Sequence, residues 1–189
     1  MLETDRRRES FNTVIHMNEE IQACVQCLGC YNEGRLNFKW VNAEYIQENI
    51  QDLNPCKRAD HEEYMMVDTN FGMIQKMGEF PDWEVVAQVM ELIEEHGEPF
   101  EIWFSHSNTD HLDVSELTDR FMEEYCGEMS EKEYAEQWLE DMYNLDDLPY
   151  EITSNINYEG VWIDLRNGEH WSHNTGSPNY NTHIFERRY

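Results

Sequence analysis

The chain has 189 residues, and its 40 Asp and Glu against 13 Lys and Arg give a formal net charge of −27. DNA, RNA and anionic membranes repel a protein this acidic, which excludes binding to any of them through its overall field. Aromatic residues form 13% of the chain, whereas disordered, highly charged segments are poor in aromatics. The length suits one or two domains, or a few very small ones.

The first 80 residues divide into an arm and a small predicted sheet domain. Residues 1–19 show no sustained hydrophobic period, and we interpret them as an N-terminal arm. Residues 20–80 predict a β-sheet domain with one helix. Its predicted elements are strands at 21–28, 35–41 and 64–67, a turn at 31–34 and a helix at 42–52.

Residues 81–124 predict an acidic helical domain. Asp82 is placed to cap a first helix that ends at Gly97. Its predicted buried positions are Trp83, Val86, Val89, Met90 and Ile93. A second helix is predicted at 113–126, where Asp113 and Glu116 have the spacing of a capping box and Gly127 ends the helix.

Residues 125–189 predict an α+β domain. A third helix begins at Ser130, with Glu133 completing a capping box. Its predicted inward residues are Tyr134, Trp138, Leu139 and Met142. Strands are predicted at 161–165 and 184–189, with a hairpin turn at Asn167-Gly168 and a loop at 177–179.

The charge is concentrated in the middle of the chain. Residues 81–150 hold 21 acidic residues against two basic ones, whereas residues 21–80 hold nine against five. Solvated helices usually alternate Lys and Glu at i,i+4, because like charges at that spacing cost a few tenths of a kcal/mol. The predicted third helix carries five carboxylates over about 20 Å, a length of one B-DNA strand with about six phosphates.

This density predicts a surface that imitates nucleic acid and is presented to a DNA-binding protein. The alternative is an acidic face kept for solubility. The predicted acidic surface comprises Glu84, Glu91, Glu94, Glu95, Asp113, Glu116, Asp119, Glu123, Glu124, Glu131, Glu133, Glu136, Glu140, Asp141, Asp146 and Asp147.

Four sequence motifs occur in an order and spacing similar to those of a known family. They are YNEGRL at 31–36 followed by Trp40, DWEVVAQVMELIEEHGEPF at 82–100, YCGE at 125–128 with YAEQWLED at 134–141, and LP at 148–149 with INYE at 156–159 and DL at 164–165. In these motifs residues 21–189 resemble the ArdA antirestriction proteins of phages and mobile elements, which mimic DNA and inhibit type I restriction-modification enzymes.

The resemblance implies an α+β fold of three small domains in an elongated chain: a β-sheet with a helix, a helical domain and an α+β domain. It also implies a cytoplasmic homodimer in a bacterial host cell. Its partner would be the methyltransferase core of a type I restriction-modification complex, without direct binding to nucleic acid or membrane. The implied dimer or antirestriction segment contains Tyr134, Trp138, Leu139, Met142, Leu145 and Leu148.

The cysteines were weighed as metal ligands. Cys24, Cys27 and Cys30 have the C-x2-C-x2-C spacing found in iron–sulfur and zinc sites, and a fourth ligand would come from Cys56, Cys126 or a His. A strand through this segment would turn Cys27 away from Cys24 and Cys30. We therefore predict no metal site and no cofactor. Two smaller groups, His106 to Asp113 and His170 with His173, are interpreted as polar loops.

The sequence lacks the common motifs of catalytic sites. The sequence has no P-loop, Gly-x-Gly-x-x-Gly, Gly-x-Ser-x-Gly or His-Glu-x-x-His motif. Carboxylates on exposed helices lack the burial that tunes a general acid or base. We predict a non-catalytic protein. The alternative function is an acidic adaptor or chaperone-like module for basic proteins.

Overall fold

The computed structural model describes residues 20–71, 74–109, 113–174, 176 and 182–188. The predicted arm at 1–19 and the predicted loop at 177–179 lie outside these residues. The described chain is α+β, as predicted, and it divides into two compact units after Val114. The elongated arrangement of three small domains stays a prediction. No helix within the described residues is long and apolar enough to cross a membrane.

The first unit contains a three-stranded antiparallel sheet. Its elements are β1 (Ala23–Cys27), α1 (Leu28–Asn32), β2 (Phe38–Val41), α2 (Ala43–Asn49) with a 3₁₀ turn (Ile50–Asp52), β3 (Tyr64–Thr69), α3 (Ile74–Met77), α4 (Trp83–His96) and α5 (Glu98–His106). The strand order is β2-β1-β3, and every residue of the central strand β1 is buried. The predicted strands and the helix that begins after Asn42 are confirmed, with shorter bounds for the first two strands.

Helix α4 forms as the sequence predicts. The Asp82 carboxylate accepts a hydrogen bond from the Glu84 N–H at 2.9 Å, which satisfies one of the otherwise unpaired donors of the first turn. Gly97 ends the helix with φ of +71°, a backbone conformation that favours glycine. All five residues of the predicted apolar stripe are buried: Trp83, Val86, Val89, Met90 and Ile93.

Helix α5 was not predicted. Gly97 and Pro99 are residues that commonly end helices. Proline is nevertheless favoured in the first turn of a helix, where its missing N–H needs no partner. Pro99 occupies that position in α5. Phe100 and Trp103 are fully buried, so burial of two aromatic side chains stabilises the helix.

The second unit contains a second antiparallel sheet, in the order β4-β6-β5. Its elements are α6 (Val114–Glu124), β4 (Tyr125–Met129), α7 (Glu131–Met142), a 3₁₀ turn (Leu145–Asp147), α8 (Tyr150–Thr153), α9 (Tyr158–Asn167), β5 (His170–Asn174) and β6 (Thr182–Glu186). Ala135, Trp162 and Ile184 form the centre of a core to which α7, α9 and β6 each contribute one residue.

Three predictions about the elements of this unit are wrong. The second predicted helix ends at Glu124, because residues 125–129 pair with β6 as strand β4. Residues 161–165 are helical, not a strand: the Asn157 side chain caps α9, and its Trp162 packs in the core under α7. The Asn167-Gly168 pair therefore ends a helix. The strand predicted near the C-terminus is confirmed as β6.

Candidate functional site: the acidic helices

The acidic residues of α4 form a line on its exposed side. Glu84, Glu91 and Glu95 are exposed and recur at helical spacing, with Gln88 completing the line. We call these three carboxylates the α4 stripe. Gln47 donates a hydrogen bond to Glu91 at 2.8 Å.

Glu94 lies beside the α4 stripe. Partial burial raises the pKa of its carboxyl, and the negative charges of Glu20 and Glu91 raise it further. The group therefore experiences the repulsion that is expected where like charges crowd on one surface.

A similar line runs along α6. Glu116, Asp119 and Glu123 are exposed and follow one another at i+3 and i+4, and we call them the α6 stripe. Asp113, also exposed, immediately precedes the helix. The inward residues Leu117 and Phe121 are buried, as predicted.

Helix α7 carries the densest line of carboxylates. Glu133, Glu136 and Glu140, the α7 stripe, are spaced by three and four residues, and Asp141 extends the negative surface. Glu133 and Glu140 are exposed, whereas Glu136 is half-buried. Within the described part of the chain, none of these four carboxylates forms an ion pair.

The start of α7 is fixed by the predicted capping box. The Glu133 N–H donates to Ser130 Oγ at 3.2 Å, and the Ser130 N–H donates to Glu133 Oε2 at 2.9 Å. Hydrogen bonds from Ser130 lower the pKa of the Glu133 carboxyl, so the group stays ionised at neutral pH. Glu131 is half-buried and accepts a hydrogen bond from Ser172 Oγ at 2.7 Å.

Tyr158 on α9 lies within the electrostatic field of the α7 stripe. Desolvation is the main cause that raises the pKa of its phenol, and the negative charges of Glu136 and Glu140 add to it. Further along the chain, Asp146 and Asp147 are exposed on the 3₁₀ turn. Asn144 donates a hydrogen bond to Asp147 at 2.6 Å.

Glu124 does not belong to the exposed surface on which it was predicted. Its residue is 4% exposed, and its Oε1 lies 2.7 Å from Arg120 Nε. The same oxygen accepts a hydrogen bond from the Arg188 N–H at 3.1 Å. The carboxylate is buried because α6 ends at Glu124 and the chain turns there into β4, so we leave it out of the candidate surface.

The second half of α7 and the segment that follows it contain apolar residues that are partly exposed. Trp138, Leu139 and Leu145 are half-buried, whereas Met142 and Leu148 are 59% and 41% exposed. Met142 was predicted to face inward, and that prediction is wrong. An open groove of about 480 Å³ lies here, lined by Leu139, Tyr143, Asn144, Leu145, Leu148, Ile152 and Ile156. Tyr134 instead packs against the core of the second unit.

The structure brings together four side chains of metal-binding types, a group that was not predicted from the sequence. Strand β1 ends at Cys27 and Cys30 lies on α1, so the prediction that one strand turns these two thiols apart is wrong. Cys27, Cys30, Cys56 and His61 converge within 4.8 Å. In the described part of the chain no other such group of His, Cys, Asp or Glu occurs.

The prediction that the smaller histidine groups lie in polar loops is wrong where they are described, because His106 ends α5 and His170 and His173 lie on β5. His106 Nδ1 is 2.8 Å from the Ile102 carbonyl on its own helix. Asp110 and His111 lie outside the described residues. His170 is buried, and desolvation lowers the pKa of its imidazole.

The fold and the surface define an acidic α+β protein with lines of carboxylates on three helices. The model of the ArdA antirestriction protein family matches residues 23–176, most of the chain. The chain belongs to the ArdA family of antirestriction proteins. The family is one of non-catalytic antirestriction proteins, and membership implies an antirestriction function and interaction with restriction-modification enzymes. No curated protein matches the chain.

Proposed function

We propose that this protein inhibits type I restriction-modification enzymes by occupying their DNA-binding groove as a DNA mimic. The observation that carries the proposal is the arrangement of the α4, α6 and α7 stripes. The carboxylates are spaced by three and four residues on α6 and α7 and by seven and four residues on α4, and the only Lys or Arg on these three helices are Arg120 and Lys132. Such an arrangement costs stability in the free protein, because like charges repel.

The cost is reversed on binding a basic groove. Lysine and arginine side chains that normally meet phosphates would meet the carboxylates of the stripes, and opposite potentials steer the two proteins together. Each contact is weak at an exposed surface, so affinity comes from many of them. The methyltransferase core is the proposed partner because it holds the DNA-binding groove of the type I complex.

We also propose that the protein acts as a homodimer. The groove between Leu139 and Ile156 is mostly apolar. Two of its lining residues, Tyr143 and Ile152, are more than half exposed, and so is Tyr150 in the same segment. Exposed apolar surface of this kind marks protein–protein contacts. It coincides with the segment that the family resemblance places near the dimer contact. The proposed site of action is the cytoplasm of a bacterial host, where the gene would be carried by a phage or mobile element.

Charge reversal on α7 tests the mimicry. The variant carries Glu133→Lys, Glu136→Lys and Glu140→Lys, and the control carries the same charge change at three exposed acids outside the stripes, Glu48→Lys, Glu62→Lys and Asp164→Lys. At about 1 kcal/mol or more for each reversed contact, the α7 variant should inhibit a type I methyltransferase at least about 100-fold less well. The control should inhibit nearly as well as the wild type.

A competition experiment separates mimicry from the acidic-adaptor alternative. The immobilised protein captures the methyltransferase core, and duplex DNA is then added in excess. Release of the core by DNA supports a shared groove. An adaptor for basic proteins would instead bind histone-like proteins promiscuously and would keep the methyltransferase in the presence of DNA. Equal inhibition by the α7 variant and the wild type would refute the mimicry.

A further inference from the structure

Three sulfur atoms and one imidazole nitrogen surround a common point in the first unit. His61 Nδ1 lies 3.5 Å from Cys27 Sγ, 3.4 Å from Cys30 Sγ and 3.5 Å from Cys56 Sγ. Cys30 Sγ and Cys56 Sγ are 3.6 Å apart. All four donor atoms lie within 4.8 Å of one another.

These distances fit the edges of a tetrahedral zinc site. Bonds of about 2.3 Å to sulfur and 2.0–2.1 Å to nitrogen, at tetrahedral angles, place sulfur about 3.5 Å from nitrogen and about 3.8 Å from another sulfur. The three nitrogen-to-sulfur distances and the sulfur-to-sulfur distance lie within a few tenths of an ångström of those values. The space suits one ion and not a cluster that brings its own sulfides.

Hydrogen-bond donors lie against the sulfur atoms. The Cys30 N–H donates to Cys27 Sγ at 3.3 Å, and Asn37 Nδ2 donates to Cys30 Sγ at 3.8 Å. The backbone of Arg58 donates a hydrogen bond to the Cys56 sulfur, and the Arg58 side chain interacts electrostatically with the Cys56 and Cys30 sulfurs. Donors placed beside coordinating sulfur atoms are typical of metal sites, where they orient the ligands.

His61 is held in one orientation. The residue is 7% exposed, with Nδ1 toward the three sulfurs and Nε2 3.4 Å from Glu33 Oε1. A carboxylate on the second nitrogen commonly fixes the tautomer of a metal-binding imidazole. The ring also requires a glycine beneath it, because a Cβ on Gly29 would lie 2.6 Å from His61 Cγ.

The four ligands come from two segments that are distant along the chain. Cys27 ends β1 and Cys30 lies on α1, whereas Cys56 and His61 belong to the irregular segment 53–63 between the 3₁₀ turn and β3. Asn54 supports this segment by donating to the His61 carbonyl at 2.8 Å. A shared ion would anchor a long loop that has no helix or strand of its own.

We propose that Cys27, Cys30, Cys56 and His61 bind one Zn²⁺ ion as a structural site of the first unit. Three thiolates and one imidazole complete a tetrahedral shell with no position left for water or substrate, so the site is structural and not catalytic. Binding releases the protons of three thiols to solvent and leaves the centre with a net charge of −1.

Metal content and cobalt spectroscopy test the site. The full chain, purified under reducing conditions without chelator, should contain about one zinc per chain by mass spectrometry of elements. Replacing zinc with Co²⁺ should give the intense visible bands of a tetrahedral cobalt site and thiolate-to-cobalt charge transfer in the near ultraviolet. A chain without bound metal, or a cobalt spectrum without thiolate bands, overturns the proposal. So does a Cys30–Cys56 disulfide in the protein as isolated from cells under alkylating conditions.

Matched variants assign the ligands. Cys30→Ser and Cys56→Ser should lose most of the metal, whereas Cys126→Ser, at a cysteine of the second unit, should keep it. His61→Cys should also keep it, because four thiolates complete a closed zinc site. If a serine variant does not fold, cobalt spectra assign the ligands instead. The wild type should show three thiolate ligands and His61→Cys should show four. Metal retained by soluble Cys30→Ser and Cys56→Ser overturns the assignment.

Gly29 offers a sharper control. Gly29→Ala should push the imidazole aside and weaken metal affinity by at least about 10-fold. In the His61→Cys background the ring is absent, so the same substitution should have little effect. Equal effects of Gly29→Ala in both backgrounds would show that His61 is not a ligand.

Removal of the metal by a chelator should lower the melting temperature of the wild type by at least about 10 °C, with loss of hydrogen-exchange protection in the first unit.

Discussion

Arg120 and Glu124 form an ion pair one helical turn apart on α6, with 2.7 Å between Arg120 Nε and Glu124 Oε1. The carboxylate is buried and also accepts the backbone N–H of Arg188. Its neighbour Glu123 is exposed. Two adjacent glutamates of one helix therefore have different roles, one inside the second unit and one on its surface.

This difference predicts that alanine substitutions at the two positions change stability by very different amounts. Glu124→Ala leaves a largely buried guanidinium and a backbone donor without their acceptor, and we expect a loss of about 3 kcal/mol in the free energy of unfolding. Glu123→Ala should change stability by less than about 0.5 kcal/mol and affect only partner binding. Urea denaturation of both variants measures the difference. Equal stabilities would mean that the Arg120–Glu124 pair contributes little.

A second prediction concerns pH and the start of α7. The Glu133 carboxyl has a lowered pKa in the folded protein, so its ionised form contributes stability above the usual carboxyl pKa of about 4.3. That contribution is lost as pH falls through the lower folded pKa. Nuclear magnetic resonance titration should show Glu133 ionising at lower pH than an ordinary glutamate side chain. Ser130→Ala should reduce the difference, because the hydroxyl donor is lost while the backbone N–H remains, and it should cost about 1 kcal/mol at neutral pH.

A third prediction concerns salt. With 21 acidic and two basic residues in 81–150, repulsion in the folded state should be screened as ionic strength rises. The melting temperature should therefore increase from low to physiological salt. The α7 variant Glu133→Lys, Glu136→Lys and Glu140→Lys should show a weaker increase than the control variant, whose three substitutions lie outside residues 81–150. A melting temperature independent of salt would mean that the carboxylates do not repel one another appreciably.

A fourth prediction concerns the apolar groove. If it is the proposed dimer contact, Leu148→Asp should shift the protein to a monomer in light scattering after size exclusion, because a buried unpaired carboxylate is costly. Ile163→Asp introduces the same charge at an exposed apolar residue of α9 that does not line the groove, and it should stay dimeric. Dimers of both variants would place the contact elsewhere.

The sequence predicts elements whose local signals agree. Helices α4 and α7 have a capping side chain and a regular apolar period, and their starts were predicted correctly. The β-branched and aromatic residues at 161–163 predict a strand, because such residues favour strands. The packing of α9 against α7 in the core determines that they are helical. Tertiary packing overrides propensity there.

The candidate sites divide in the same way. The exposed carboxylates could be predicted, because acidic residues at helical spacing are recognisable from the sequence alone. The burial of Glu124 was not, since it depends on Arg188 from the opposite end of the second unit's sequence. The convergence of Cys30 with Cys56 and His61 depends on a loop without periodic signal, and the fold alone brings these residues together.

The position of Tyr158 next to the α7 stripe makes the phenol an intrinsic optical indicator. Part of the rise in its pKa comes from Glu136 and Glu140, so a partner that neutralises those carboxylates should let the phenol ionise at lower pH. The ultraviolet difference between the wild type and Tyr158→Phe isolates this one chromophore. Occupancy of the acidic face could thus be followed without a label, in the same solution in which inhibition is measured.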